Sequence, residues 1–227
     1  CARSAQNRAI EFALLLGIPW VVAFLIMPDI IMRGLFMRGR FNAGDAHAAA
    51  ATLMAYTIGL VPFVLIRSVV APFLARGDTA TPVKAALTGT AVNIALKVVL
   101  MGPLAQVGLA LATSIGAWIN FLLVLWLAGR AEFIAADREL KASLGRLAVA
   151  GVAMAILLAL AVPLVTSLLS SLSRFRNESE LLVLTLVGGV VYGVLVLVLF
   201  GRRWATLLRR GSGGVPSQPA SPPDGGA

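Results

Sequence analysis

The sequence predicts an all-α fold, a polytopic membrane helix bundle with about six transmembrane helices. Of its 227 residues, 59% are hydrophobic and only 13% are charged, and the mean hydropathy is +0.92. Uncharged runs cover residues 12–28, 48–66, 98–129, 147–173 and 181–201. A helix needs about 20 apolar residues to cross the hydrocarbon core of a bilayer, and most of these runs are long enough. This composition excludes a water-soluble domain.

Prolines and glycines divide these runs into helices. Pro62 and Pro72 are expected to kink the second helix, because proline has no amide hydrogen to donate. Gly102 and Pro103 are expected to separate the third helix from the fourth. The predicted helices cover about residues 12–31, 45–75, 82–101, 104–128, 144–166 and 180–200.

A polar turn with the sequence FLARGDTATPVKAA, residues 73–86, separates the second and third helices. It brings Arg76, Asp78 and Lys84 close together between two apolar segments. Thr81 followed by Pro82 predicts a helix start, because a threonine oxygen can cap free backbone N–H groups and proline fits the first turn. We expect this turn to be a gate element. The alternative is that Arg76 and Lys84 only set topology while Asp78 and Thr81 cap the following helix.

The two ends of the chain differ in composition from the spans. Residues 1–11 resemble the end of an amphipathic connector, which predicts that this is the C-terminal part of a longer protein. Residues 12–130 are expected to form one group of transmembrane helices, and residues 131–203 to form two additional helices. Residues 204–227 are rich in proline, glycine and serine, and such a segment is expected to be a disordered cytoplasmic tail.

The net charge of +9 does not indicate nucleic acid, because the basic residues are scattered between apolar spans. Their distribution predicts orientation instead, since cytoplasmic loops are enriched in lysine and arginine. Twelve of these residues lie on the side that holds both ends of the chain, and five lie in the opposite loops. We therefore expect both termini and the turn at residues 73–86 to be cytoplasmic.

Two cations fall inside predicted spans. Arg67 lies about 12 Å from the cytoplasmic end of the second helix. It could snorkel to the head groups or contact an anion in a cavity. Lys97 lies about 22 Å along the third helix, with Asn93 one turn below it. Arg67, Lys97 and Asn93 are the candidate substrate-binding residues.

Small and polar residues recur at four-residue spacing on two neighbouring helices. Gly89, Asn93 and Lys97 form one stripe on the third helix. The stripe on the fourth helix comprises Gly108, Ala112, Gly116 and Asn120, with Thr113 beside it. Small residues at this spacing allow close helix approach, and amides can bond between helices. Packing alone and a polar site both remain open.

The sequence contains no motif that indicates covalent catalysis. Cys1 is the single cysteine and His47 the single histidine, which excludes an internal disulfide and a multi-cysteine metal site. The sequence contains no paired intramembrane carboxylates and no glycine loop for phosphate. We therefore expect no enzymatic activity, no cofactor and no metal site.

Several segments together resemble a known family. They are residues 34–41 (GLFMRGRF), Asp45, residues 74–84 (LARGDTATPVK), Asn93 and residues 102–120 (GPLAQVGLALATSIGAWIN). In this order and spacing they resemble the C-terminal half of the bacterial MurJ/MviN lipid II flippases, which belong to the multidrug, oligosaccharidyl-lipid and polysaccharide exporter superfamily. The resemblance covers about residues 8–130, and the later helices agree in layout only.

The resemblance implies a fourteen-helix protein of two six-helix lobes and two extra helices, of which this chain supplies the ninth to the fourteenth. Such proteins move lipid II, the undecaprenyl-pyrophosphate-linked peptidoglycan precursor, from the cytoplasmic to the periplasmic leaflet by alternating access. The implied location is the bacterial inner membrane. The implied partners are lipid II, membrane lipids and the N-terminal lobe, with a lipid-tail groove at residues 131–203. Alternatives are an exporter of another polyprenyl-linked glycan and a non-transporting scaffold for cell-wall synthesis.

One departure from the family pattern concerns a cation site. In some members of the family that this sequence resembles, three residues together bind sodium. They are an asparagine, an acidic residue one turn later and a threonine on the next helix. The corresponding positions here are Asn93, Lys97 and Thr113. We hypothesise that this protein binds no sodium there and that the Lys97 ammonium replaces the ion electrostatically.

Overall fold

The computed structural model describes residues 2–131, 138–169 and 176–211, and within these ranges every regular element is a helix. The helices are α1 (Ala2–Ile26), α2 (Pro28–Phe36), α3 (Ala43–Leu74), α4 (Ala80–Arg130), α5 (Arg138–Leu168) and α6 (Arg176–Gly211). All except α2 contain a segment that is long and apolar enough to cross a membrane. The predicted all-α class is therefore confirmed.

The first predicted helix is in fact two helices. The chain breaks at Met27, so that α1 ends at Ile26 and α2 begins at Pro28. Proline fits the first turn of a helix, where its missing N–H is not needed, and the Asp29 carboxylate there complements the helix dipole. The prediction of one helix through residue 31 was wrong. Residues 2–11, expected to be a connector, continue directly into the span of α1.

Helix α4 is a hairpin of two helical arms, residues 80–104 and 106–130. The bend is at Ala105, which has φ 46° and ψ −127°, and not at Gly102 and Pro103 as predicted. Pro103 cannot donate the hydrogen bond that would continue the first arm, and the chain turns two residues later. Beyond the bend, Gly108 lies against the backbone of Leu100, so the arms run side by side. The arms correspond to the third and fourth predicted helices.

Apolar clusters hold the bundle together, and two of them show how the helices are joined. One joins α3 to both arms of α4 and contains Phe73, Ala85 and Val124. The other joins α5 to α6 and contains Leu158 and Tyr192, with residues of α1 packed against it. Helix α1 also packs against α3, so it connects the α3–α4 unit to the α5–α6 pair. Burial of these side chains stabilises the arrangement by dispersion and close packing, which dominate helix association in a membrane.

Two prolines leave backbone carbonyl groups that are satisfied from other helices. Pro62 cannot donate to Ile58 one turn earlier, and Trp118 of α4 donates its indole Nε1 to that oxygen at 2.9 Å. Tyr192 of α6 donates its hydroxyl at 2.8 Å to the oxygen of Leu15, the carbonyl that a proline at position 19 leaves free. An orphaned carbonyl in a bilayer is costly, so these two bonds stabilise the proline-containing helices and their contacts with neighbouring helices.

We expect Trp118→Phe to lower the free energy of unfolding by about 1 kcal/mol, because it leaves the Ile58 carbonyl without a donor. In a Pro62→Ala background the same substitution should cost much less, since an alanine at that position provides its own N–H. Thermal unfolding in detergent of the four proteins of this double-mutant cycle measures the difference. Equal costs in both backgrounds would show that Trp118 acts through packing alone.

The end of the chain differs from the predicted division. Helix α6 continues to Gly211, so residues 204–211, which were assigned to the tail, are helical. The remaining predicted tail, residues 212–227, lies outside the described residues. The predicted division into a lobe, two additional helices and a tail stays a prediction.

Candidate functional site

Arg67 lies on the face of α3 that points away from the core. Val69, two residues later and therefore on the opposite side of the helix, is buried against α4. Arg67 itself is exposed. It lies five residues after Pro62 in the same helix.

No hydrogen bond or ion pair joins Arg67 to any residue in the described part of the chain. It lies seven residues before the end of α3 at Leu74, which is about 10 Å along the helix. A charge at this depth is costly unless it faces a wet cavity or reaches the head groups. Arg67 is therefore an available cation on a surface that the described helices leave open.

The two predicted stripes meet within the α4 hairpin, where each arm places an asparagine over a glycine of the other arm. Asn93 of the first arm lies over Gly116, and Asn120 of the second arm lies over Gly89. A Cβ atom added at Gly116 would be 2.8 Å from the carbonyl oxygen of Gly89, and the converse distance is also 2.8 Å. Only glycine allows the backbones to approach this closely.

The side-chain oxygens of Asn93 and Asn120 are both buried, and neither has a hydrogen-bond partner among the described residues. Ala112 is also fully buried in this arm. The Thr113 hydroxyl donates to the Leu109 carbonyl of its own helix at 2.9 Å. The hairpin therefore contains two amide oxygens that are shielded from the bilayer and are available to a donor.

Lys97 is half-buried one turn beyond Asn93, and no hydrogen bond or ion pair links it to another residue within the described ranges. It lies 17 residues from the start of α4, or about 25 Å, whereas Arg67 is about 10 Å from the same end of the bundle. The two candidate cations thus lie at different depths. The structure does not bring them together.

The turn between α3 and α4 is stabilised by backbone hydrogen bonds and one positive φ angle. The N–H groups of Arg76 and Asp78 both donate to the Phe73 carbonyl at 3.0 Å. Gly77 has φ +76°, the left-handed conformation that commonly ends a helix. The Arg76 guanidinium donates to the Pro72 carbonyl at 3.2 Å. This arginine is therefore engaged with its own helix end.

Asp78, and not Thr81, caps helix α4. The helix begins at Ala80, one residue earlier than Thr81, and the Thr81 N–H donates to the Asp78 carboxylate at 3.0 Å. This bond, a second from the Thr81 side chain and the nearby Lys84 charge lower the pKa of Asp78 below its ordinary value of 3.8. Of the two residues predicted to cap this helix, Asp78 is confirmed, whereas the prediction for the Thr81 oxygen was wrong because Thr81 lies inside the first turn. Pro82 is buried in the first turn.

We expect Asp78→Ala to lower the melting temperature at neutral pH, since the cap is lost. The pKa of Asp78 is lowered in the folded state, so its contribution is complete above 3.8 and is lost as the pH falls toward the lowered value. The difference from the unmodified protein should therefore shrink in acid. Melting curves over this pH range measure it, and Asp78→Asn is the control, since it keeps an acceptor but does not titrate. A constant difference at all pH values would contradict the assignment.

Several interhelical contacts were missed in the sequence analysis. The Ser114 hydroxyl donates to the Ala55 carbonyl at 2.6 Å, close to the Trp118 bond and on the same face of α4. The sequence contained part of the signal for these contacts, because a proline at position 62 leaves the carbonyl at position 58 free. A serine and a tryptophan four residues apart on a neighbouring helix are suitable donors.

The sequence model of the family described as "Lipid II flippase MurJ" matches residues 2–177, which is most of the chain. The chain belongs to the MurJ family. The family resemblance found in the sequence is thereby confirmed, and so is a multi-pass membrane protein.

Individual MurJ relatives agree with this assignment. A probable lipid II flippase MurJ of Rhizobium meliloti is 34% identical over 209 residues, covering 91% of this chain and 38% of the relative. A probable lipid II flippase MurJ of Haemophilus influenzae is 28% identical over 208 residues, covering 92% of this chain and 40% of the relative. The chain thus spans about two-fifths of the length of these MurJ proteins.

A solved structure shows the same fold. The structure described as "Lipid II flippase MurJ, inward closed conformation" superimposes with a TM-score of 0.72 and 22% sequence identity, covering 88% of this chain and 40% of that protein. The matched part is again about two-fifths of the MurJ structure. The helical arrangement described above is therefore the MurJ fold over this portion of the family.

Proposed function

We propose that this chain forms part of a lipid II flippase, in which Arg67 contacts the diphosphate of the substrate. The observation that carries the proposal is the exposed guanidinium of Arg67 on a spanning helix, without an ion-pair partner among the described residues. Arginine suits this role because its planar fork binds phosphate oxygens in pairs. Membership of the MurJ family supports the choice of substrate.

The remaining features of the proposed protein follow from the family and from the charge pattern. A preceding lobe supplies a second cationic surface opposite Arg67, and alternating access moves the head group between leaflets of the bacterial inner membrane. Twelve lysines and arginines on one side against five on the other support cytoplasmic termini. The turn from Arg76 to Lys84 then lies on the side from which the substrate enters.

Helices α5 and α6 are proposed to accommodate the lipid tail. Their outer faces carry large apolar side chains that are exposed in the bundle, among them Leu160, Leu164, Leu186 and Val190. Exposed aliphatic side chains on spanning helices suit contact with an acyl or prenyl chain, because the side chains and the lipid chains are equally apolar. The Tyr192 bond to α1 attaches this surface to the rest of the bundle.

Depletion of the native protein and rescue by its full-length form test the proposed flipping activity. Lipid II exposed on the outer leaflet is measured directly, for example by cleavage or labelling from outside the cell. We expect rescue to restore both growth and exposure. Growth without restored exposure would overturn the proposal and would favour a scaffold for cell-wall enzymes.

We further propose that Lys97 provides a fixed positive charge beside Asn93 and Thr113, so that transport does not need sodium. Support comes from the half-buried ammonium, which has no partner within the described part of the chain, one turn from a buried amide oxygen without a donor. Flipping in vesicles with sodium or with potassium should therefore proceed at the same rate. Sodium-dependent transport that disappears in Asn93→Ala or Thr113→Ala would contradict this assignment.

A further inference from the structure

A polar pocket lies where α2 and α6 begin and α5 ends, at the end of the bundle opposite the Arg76–Lys84 turn. Its volume is about 190 Å³, and we name it the α2–α6 pocket. The polar lining residues are Asp29, Arg33, Thr166, Arg176, Asn177 and Glu180. None of them belongs to the proposed substrate site on α3 and α4, so the pocket calls for a separate explanation.

Part of the charge in this pocket is already paired. Arg176 donates through its Nε atom to Glu180 at 2.7 Å, and Glu180 is only 6% exposed. The buried carboxylate fixes the guanidinium at the wall of the pocket. Only the Nε atom of Arg176 takes part in this bond, so the two terminal NH2 groups of its guanidinium stay available to an anion.

The other two charges in the pocket, Asp29 and Arg33, form no ion pair with each other. The Arg33 guanidinium has no ion-pair or hydrogen-bond partner in the described ranges. The Asp29 carboxylate contacts the Nδ1 atom of His47 at 3.2 Å through Oδ1, and its second oxygen has no partner among the described residues. The α2–α6 pocket therefore presents one available cation and one available anion, which suits a ligand that carries both charges.

The surroundings indicate that this ligand is a lipid. The pocket lies at the ends of three helices, two of which cross the membrane, which is the level of the head groups. Phe36 and Met37 follow Arg33 by about one helical turn. Their side chains are 54% and 38% exposed and are available to an acyl chain. The sulfur of Met37 also accepts a contact from the Asn177 amide at 3.9 Å, which joins the apolar rim to the polar wall.

The volume of the pocket limits the size of the ligand. A cavity of 190 Å³ holds the equivalent of about six water molecules. A phosphoethanolamine group fits such a space. A primary ammonium can also donate hydrogen bonds to the Asp29 carboxylate, which a quaternary ammonium cannot do. The phosphate would lie between the Arg33 and Arg176 guanidinium groups, whose geometry matches paired phosphate oxygens.

We propose that the α2–α6 pocket binds the head group of a phospholipid that combines a phosphate with a primary ammonium, as in phosphatidylethanolamine. The phosphate is held by Arg33 and Arg176, and the ammonium is held by Asp29. Such a lipid bridges α2 and α6 and so attaches the α5–α6 pair to the remainder of the bundle. This inference does not depend on the proposed flipping activity.

Native mass spectrometry of the purified full-length protein tests this proposal, because it counts bound lipids and needs no transport. Phosphatidylethanolamine, phosphatidylcholine and phosphatidylglycerol with identical acyl chains are titrated in parallel. We expect phosphatidylethanolamine to bind roughly tenfold more tightly than either of the others, a difference of about 1.4 kcal/mol. Equal binding of the three lipids, or tighter binding of the glycerol lipid, would overturn the proposal.

Single substitutions assign the binding to this pocket. Arg33→Gln and Asp29→Asn should each remove the preference for phosphatidylethanolamine, whereas Arg40→Gln, an exposed control in the following loop, should retain it. Arg33→Lys should weaken binding less than Arg33→Gln, because the charge is kept. Retained preference in both Arg33→Gln and Asp29→Asn would contradict the site. If one of these variants fails to fold, the other variant and the lipid series still decide the outcome.

Discussion

Gly116→Leu is expected to prevent the α4 hairpin from closing and so to reduce sharply the amount of folded protein in the membrane. Even a single Cβ atom at this position would be 2.8 Å from both the Gly89 oxygen and the Asn93 Cβ atom. The obstacle includes backbone, which cannot rotate away as a long side chain can. A leucine adds three further carbon atoms to this contact, and the two arms would have to separate.

Gly116→Ala provides a graded version of this experiment. Overpacking by one methyl group should lower the free energy of unfolding by about 1–3 kcal/mol. Folded protein is measured by detergent extraction, size exclusion and thermal unfolding. The matched control is Gly129→Leu on the same arm, where an added Cβ meets nothing within 4 Å. Equal yields of Gly116→Leu and Gly129→Leu would contradict the close approach of the arms.

Arg67→Ala is expected to abolish most of the flipping activity while the protein still inserts and folds. The side chain is exposed and forms no bond with the described residues, so its removal leaves no cavity and no orphaned partner. Loss of one charge-assisted contact with a phosphate costs about 1.5–3 kcal/mol, which corresponds to a roughly ten- to hundredfold decrease in transport. Exposure of lipid II on the outer leaflet is the measurement.

Two controls separate binding from snorkelling at Arg67. Arg67→Lys keeps a charge that can reach the head groups but loses the planar fork, so it should insert like the unmodified protein and restore transport only in part. Arg40→Ala removes an exposed charge from a loop and should leave transport unchanged. Full transport by Arg67→Ala would remove this residue from the proposed site and would leave snorkelling as its role.

The fold class and most of the helix positions were predictable because hydropathy is a local property of about 20 residues. The break after Met27 and the bend at Ala105 were not, since several residues near each point could end a helix. Gly102 and Pro103 are stronger helix breakers than alanine, yet the positive φ angle falls on Ala105. Where the chain turns is determined by how the two arms pack after the bend.

The candidate site was predictable only where its residues lie on one helix. The spacing of Asn93 and Lys97 indicated a shared face, and the four-residue stripes indicated close packing. The α2–α6 pocket joins Arg33 to Asn177, which are far apart in the sequence and belong to different predicted helices. No periodicity in a single sequence relates such positions. The cap at Asp78 was predictable because an aspartate just before a helix can accept from first-turn N–H groups, whereas Thr81 before Pro82 wrongly indicated a second cap.

The reciprocal contacts of the α4 hairpin have a mechanical consequence. Backbone atoms of Gly89 and Gly116 are too close for the arms to slide, and Ala105 is the single residue that connects them outside helical geometry. The two arms therefore form one rigid body. If the protein alternates between two shapes, the change in shape has to occur elsewhere, at Pro62 within α3 or at the short segment around Gly77. A crosslink between the two arms should therefore be tolerated in every state of the cycle, whereas a crosslink across either flexible point should arrest it.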